Sequence, residues 1–136
     1  MSKIGETFFT SIGCMDGRVQ DPIRNFGQKL FSAEYADTIT EAGLVGLLAK
    51  ENLDQALTDS IREKVLISLE KHHSKGIIVH GHQECAGNPV ADDKHKNDIQ
   101  KSVGIIKSLI DSSMSVVGVF VKRSFGESSK WEAEEV

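Results

Sequence analysis

Four short runs rich in β-branched and aromatic residues recur along the chain with helical segments between them, and that alternation restricts the fold more than any other feature. Thr7-Phe8-Phe9-Thr10-Ser11-Ile12, Tyr35-Ala36-Asp37-Thr38-Ile39, Ile77-Ile78-Val79-His80 and Val116-Val117-Gly118-Val119-Phe120-Val121 read as strands. The third is apolar and bounded by glycine, as expected of a central strand covered on both faces. Asp21-Pro22 reads as a helix start, a cap followed by proline at the first helical position, with Ile23, Phe26, Leu30 and Phe31 as its apolar side. From Leu53 to about His73, Leu53, Leu57, Ile61, Val65 and Leu69 recur at helical spacing, with Ala56 and Leu66 widening the stripe and Gly76 ending it. Asp92 to Asp111 repeats the pattern through Ile99, Val103, Ile106 and Ile110.

Two stretches are less determined. Leu44 to Ala49 is apolar, but Gly43 and Gly46 weigh against a helix there, and the segment is expected to offer a surface to a partner. A polar turn at Gly126-Glu127-Ser128-Ser129 precedes Trp131 to Val136, which can pair back as an antiparallel edge strand. Strands separated by helices pair in parallel through right-handed crossovers. The expected fold is therefore a small α/β domain with a mostly parallel sheet of about four strands, flanking helices and that antiparallel C-terminal edge.

A length of 136 residues suits one domain over residues 1–136. The net charge of −4, from 16 basic and 20 acidic residues, comes without a block of one sign, so no nucleic-acid footprint is expected. The start lacks the apolar stretch of a secretory signal, and no apolar run approaches the roughly 18 residues that cross a membrane. A soluble, cytoplasmic protein without a membrane partner is the expectation.

Chemistry concentrates in two clusters. Cys14, Asp16 and Arg18 follow the first strand at alternate positions, which in extended backbone share one side. Gly81-His82-Gln83-Glu84-Cys85 leaves the third strand with an imidazole and a thiol at a spacing typical of zinc ligands. Ligands of parallel sheets sit beyond the carboxyl ends of strands, where both clusters fall. In a reducing compartment two such cysteines bind metal or do chemistry more often than they form a disulfide, which would also require favourable geometry. Zinc held by Cys14, His82 and Cys85 would keep its fourth position open, the pattern of a catalytic rather than a structural site. Two thiolates cancel the charge of Zn²⁺, so a nearby cation would help acidify its water, and Arg18 is the nearest. Asp16 can either take the fourth position or be held off it by Arg18.

The other titratable groups have plainer readings. His80, inside the apolar strand, reads as a core residue or a support for the ligands, with ligand substitution the alternative. His72, His73 and His95 lie among charged residues and read as solvated histidines on helix surfaces. Glu84 reads as an exposed loop carboxylate, with proton acceptor the alternative. Neither a dinucleotide-binding glycine pattern nor a P-loop is present, and no Gly-x-Ser-x-Gly elbow occurs.

Cys14-Met15-Asp16-Gly17-Arg18 resembles the Cys-x-Asp-x-Arg motif of the β-class carbonic anhydrases, and Gly81-His82-Gln83-Glu84-Cys85 resembles their Gly-His-x-x-Cys motif. The resemblance runs from about Thr7 to Phe120. It implies Cys14, His82 and Cys85 as zinc ligands, Asp16 and Arg18 as the catalytic dyad controlling the fourth position, and a homodimer or a larger assembly of dimers. The implied activity is reversible hydration of carbon dioxide to bicarbonate with a zinc-bound hydroxide as nucleophile. Hydrolysis of CS₂ or COS, or a non-catalytic zinc domain that binds an anion or a protein, are the alternatives. The sequence is similar to a short, divergent branch of that family carrying Cys-Ala-Gly-Asn-Pro, as in Cys85-Ala86-Gly87-Asn88-Pro89. The family's usual Arg-Asn-Ala-Gly is here Thr40-Glu41-Ala42-Gly43, and the amino-terminal helical arm common in the family is not expected ahead of Thr7.

Overall fold

The computed structural model describes residues 5–111 and 113–136. Along the chain run β1 (Phe8–Gly13), α1 (Gln20–Phe31), β2 (Tyr35–Thr40), α2 (Leu44–Leu48), α3 (Gln55–Glu70), β3 (Ile77–His82), α4 (Asp92–Leu109), β4 (Val116–Ser124) and β5 (Glu127–Glu135). They form a five-stranded sheet in the order β2-β1-β3-β4-β5. The first four strands are parallel and β5 returns antiparallel along β4. The expected α/β architecture with an antiparallel edge is the one observed.

This strand order positions the site. The chain leaves β1 outward to β2, then passes back over β1 to reach β3, so consecutive crossovers cover opposite faces. On one face α1 and the residue before it lay Ile23 and Val19 against Phe9, Ile78 and Val119. On the other, Leu44, Val45 and Leu48 of α2, Ile61 and Val65 of α3, and Ile99 and Ile106 of α4 close over Ile12, Ile77 and Val79. The direction of winding reverses between β1 and β3, which opens a crevice at their carboxyl ends. In register, Gly13 stands beside Thr40 on one side and His80 on the other. The segments that follow β1 and β3 thus emerge next to each other.

Several local expectations are corrected. Helix α1 starts at Gln20 with Val19 as its cap residue, so Asp21 and Pro22 lie inside the first turn, and Leu30 is 43% exposed rather than on the apolar side. Helix α3 begins after Asp54, whose carboxylate accepts the Ala56 and Leu57 amides at 2.9 and 3.3 Å. The hairpin turns at Phe125 and Gly126, with Gly126 at φ 82°, so β4 and β5 are both longer than the side-chain pattern indicates.

The segment Leu44–Leu48 is a short helix, and Leu44, Val45 and Leu48 are buried within the same chain. They do not form a surface for a partner. Gly43 enters this helix in the left-handed region at φ 63°, where a side chain is strained, and a Cβ there would stand 2.4 Å from the Gly87 backbone. Packing decides the conformation: α2 lies in the core beside α4, and Ser102 Oγ donates to the Val45 carbonyl at 3.1 Å.

Candidate metal centre

Cys14 follows the last residue of β1, His82 is the last residue of β3, and Cys85 lies three positions beyond it. Their ligand atoms all lie within 4.8 Å of one another. All three are buried, at 6%, 0% and 3% exposure, and the two thiols are free with their sulfurs 3.8 Å apart. A tetrahedral ion with Zn–S bonds of about 2.3 Å sets two sulfurs about 3.8 Å apart, so the spacing fits. His82 Nδ1 sits 2.6 Å from the Gln83 carbonyl, which requires the proton on Nδ1 and leaves a lone pair on Nε2. That Nε2 is buried without a hydrogen-bond partner. Two sulfurs and an imidazole nitrogen suit zinc among divalent ions.

The surroundings tune the sulfurs differently. Burial pushes the Cys14 thiol up, but the adjoining His82 imidazole and the amides of Gly43 and Asp16 outweigh it and bring the thiol down to about 7. The Gly43 amide donates to Cys14 Sγ at 3.4 Å, which gives the left-handed turn before α2 a second role. Cys85 is pushed up, by burial first and by the charge on Cys14 second. His82 is depressed by burial but raised on balance by Cys14, the Gln83 carbonyl and Asp16.

Asp16 and Arg18 meet, though not by strand alternation. The strand stops at Gly13, and Asp16 opens a turn in which its Oδ1 accepts the Arg18 backbone amide at 2.9 Å. The Arg18 guanidinium then grips both carboxylate oxygens, with Nε 3.1 Å from Oδ1 and Nη2 2.8 Å from Oδ2. These bonds from Arg18 hold the Asp16 carboxyl down at about 2. Asp16 Oδ2 also lies 3.9 Å from His82 Nε2, so the carboxylate borders the Cys14-His82-Cys85 cluster while remaining bound to Arg18.

The histidine readings divide. His80 is fully buried with neither ring nitrogen hydrogen-bonded, packed over Gly13 so closely that a Cβ there would lie 2.3 Å from the ring. Burial pushes it down to about 3, so it is a neutral core residue. His73 is exposed as expected, whereas His72 is half-buried with Nδ1 2.7 Å from Asp37 Oδ2. His95 is not solvated: it is 2% exposed on the inner side of α4, with its ring against Gly81 and its centroid 6.3 Å from that of His82. Asp92, Asp93 and Lys94 occupy the outer side of that helix while Asp98 is buried with His95, a separation that single residues do not reveal.

Other contributors join the site through contacts that the fold makes. Gln20 Nε2 donates to the carbonyls of Cys14 at 2.9 Å and Asp16 at 2.8 Å, bracing the turn from α1. Asn88 Nδ2 donates to the buried Asp98 at 3.1 Å beneath the Cys85 loop, and Lys94 pairs with the same carboxylate. From the hairpin, Trp131 packs beside the centre with its ring 6.4 Å from that of His82. Glu84 is no free base, because its carboxylate is shared by Arg18 and Arg123, which together hold it below the usual carboxylate range, Arg123 foremost. A cavity of about 620 Å³ opens on the far side of Gln20, between α1 and β2, apart from Cys14, His82 and Cys85.

A parallel α/β sheet with a buried Cys-His-Cys cluster at its winding reversal is the class of structure these observations define. Residues 4–136 match the family model described as "Putative carbonic anhydrase", and the chain belongs to that family. Among solved structures it is similar to the β-carbonic anhydrase CafA of the fungal pathogen Aspergillus fumigatus, at 11% identity and a TM-score of 0.59 over 98% of this chain and 77% of that one. It is also similar to a carbonic anhydrase from Streptococcus mutans, at 17% identity and a TM-score of 0.57 over 93% and 80% of the respective chains. No curated protein sequence matches. Among the described residues, no helix is long and apolar enough to cross a membrane.

Proposed function

We propose that this protein catalyses the zinc-dependent, reversible hydration of carbon dioxide to bicarbonate, with Cys14, His82 and Cys85 holding the metal. The observation that carries the reading is the buried, unpartnered His82 Nε2 within 4.8 Å of two thiol sulfurs, bordered by an ionised Asp16. Zinc, when bound, supplies the Lewis acidity that makes water a nucleophile near neutral pH. The chain's residues supply the rest. Asp16, ionised at any physiological pH, accepts a hydrogen bond from the attacking oxygen and so directs its lone pair at the carbon. Arg18 fixes the carboxylate by its two-pronged grip and is the cation beside a centre whose formal charge two thiolates cancel. Bicarbonate leaves and the proton passes to solvent.

A homodimer, or an assembly of dimers, is part of the same reading. It is supported by family membership and by β2, which lies at an edge of the sheet with β1 as its one partner among the described strands.

The test is a stopped-flow pH-indicator assay of CO₂ hydration on the zinc-loaded protein. Acceleration above buffer is expected, with Asp16→Asn lowering kcat/KM by a factor on the order of 10². A zinc-loaded protein without any acceleration from mildly acid to alkaline pH would overturn the proposal.

A further inference from the structure

Beyond Asp16, Arg18 is held by groups from two other parts of the chain. Its Nη1 donates to Glu84 Oε1 at 3.2 Å and its Nη2 to the Glu84 carbonyl at 3.2 Å. Glu84 in turn binds Arg123 of β4, with Nε 2.5 Å from Oε2 and Nη2 2.9 Å from Oε1. Asp16, Arg18, Glu84 and Arg123 thus form a chain of alternating charge. Both guanidiniums also pack on one ring, Arg18 at 4.8 Å and Arg123 at 4.6 Å from the Trp131 centroid. The loop bearing His82 and Cys85 is tied to the same strand, because the Gln83 amide donates to the Val121 carbonyl and the Arg123 amide to Gln83 Oε1, both at 2.9 Å. Glu84 itself sits in the left-handed region at φ 57°, a conformation that a non-glycine residue keeps when its surroundings enforce it.

We infer that Glu84, gripped by Arg123, is a positioning residue that keeps Arg18 turned onto Asp16 and Asp16 off the metal, so that the β4–β5 hairpin governs the fourth position of the centre. The inference rests on the zinc reading above. Its physical basis is a competition for one carboxylate. The Arg18 side chain is 40% exposed and Asp16 20%, and an ion pair so open to water is weak when isolated. Asp16 Oδ2 already lies 3.9 Å from the nitrogen that would hold a dication. A lone Arg18 would lose that carboxylate to the metal. Fixed on its outer edge by Glu84 and on its face by Trp131, Arg18 no longer spends side-chain freedom each time it binds Asp16.

The test uses cobalt(II) in place of zinc and reads the visible spectrum, which reports the metal's ligands independently of turnover. The parent protein is expected to show a spectrum that changes with pH between about 6 and 9, as an ionising solvent ligand requires. Glu84→Gln keeps the side chain's size and removes its charge. It should fix the spectrum across that range and lower kcat/KM about tenfold or more. Arg123→Gln, outside the metal loop, should do the same and guards against a loop variant that fails to fold. Adding Asp16→Asn to Glu84→Gln should restore the pH-dependent spectrum, which a merely structural role for Glu84 would not do. Parent-like, pH-dependent spectra in both Glu84→Gln and Arg123→Gln would overturn the inference, as would a pH-independent spectrum in the parent. A parent that binds cobalt with the expected spectra yet fails to hydrate CO₂ would support the inference and overturn the proposed reaction. Failure to bind cobalt would overturn both.

Discussion

His80 sits in an environment at odds with its chemistry. Both ring nitrogens are buried and unpartnered, and burial has pushed its proton affinity down to about 3. The unfolded chain binds a proton at His80 near pH 6.5 and the folded chain does not until about 3. The stability that a neutral His80 permits is therefore fully present above pH 6.5 and is lost progressively as pH falls toward 3. His80→Leu, similar in volume, should change stability at pH 7 by less than about 1.5 kcal/mol. It should also fall less steeply than the parent between pH 6 and 4, as measured by urea unfolding at each pH. An identical acid slope would show that His80 does not titrate this way. Gly43 makes the opposite case, a small residue whose absence of side chain matters. Gly43→Ala combines a left-handed φ with a Cβ 2.4 Å from the Gly87 backbone, and it displaces the amide on Cys14 Sγ. A loss of at least about 1–3 kcal/mol is expected in urea unfolding, with weaker metal binding.

At the scale of elements, α3 and α2 illustrate two ways of making a helix. Helix α3 was legible in its stripe, since Ile61 and Val65 are buried where the spacing places them. Its start depends on one side chain, the Asp54 cap. Asp54→Ala should cost about 0.5–2 kcal/mol, read as a lower urea midpoint at unchanged slope. Helix α2 was not legible, because two glycines argue against it locally and only its burial beside α4 argues for it. The hairpin repeats the lesson. Trp131 to Val136 could be recognised as an edge strand, but not that its pairing, Arg123 opposite Trp131, would bring both residues to the loop of His82 and Cys85. That contact depends on a register between two strands, which no local pattern carries.

For the molecule as a whole, the clustering of Cys14, His82 and Cys85 was legible because strand-end motifs and parallel topology are separate signals with one meaning. Cys14, His82 and Cys85 converge because β1 and β3 are neighbours with aligned carboxyl ends, a consequence of strand order alone. What surrounds them, Gln20, His95 and Arg123, was hidden because each acts through a fold contact rather than a motif; Asn88 stands in a motif, but its bond to Asp98 does not show there. The cluster also couples metal to stability. Two thiols and an unpartnered imidazole packed together are poorly satisfied alone, and an ion that binds the folded chain stabilises it. Removal of zinc by a chelator should lower the melting temperature, and Cys14→Ser should show the lowered value with or without zinc. A parent whose melting temperature is indifferent to chelation would argue against a buried metal.

X-ray absorption at the zinc edge reads the proposed ligand set without reference to turnover. The zinc-loaded protein should show two sulfur scatterers at about 2.3 Å, one imidazole and one further light atom, with Cys85→Ser reducing the sulfur count to one. A zinc environment lacking sulfur, or one unchanged by Cys85→Ser, would contradict the account.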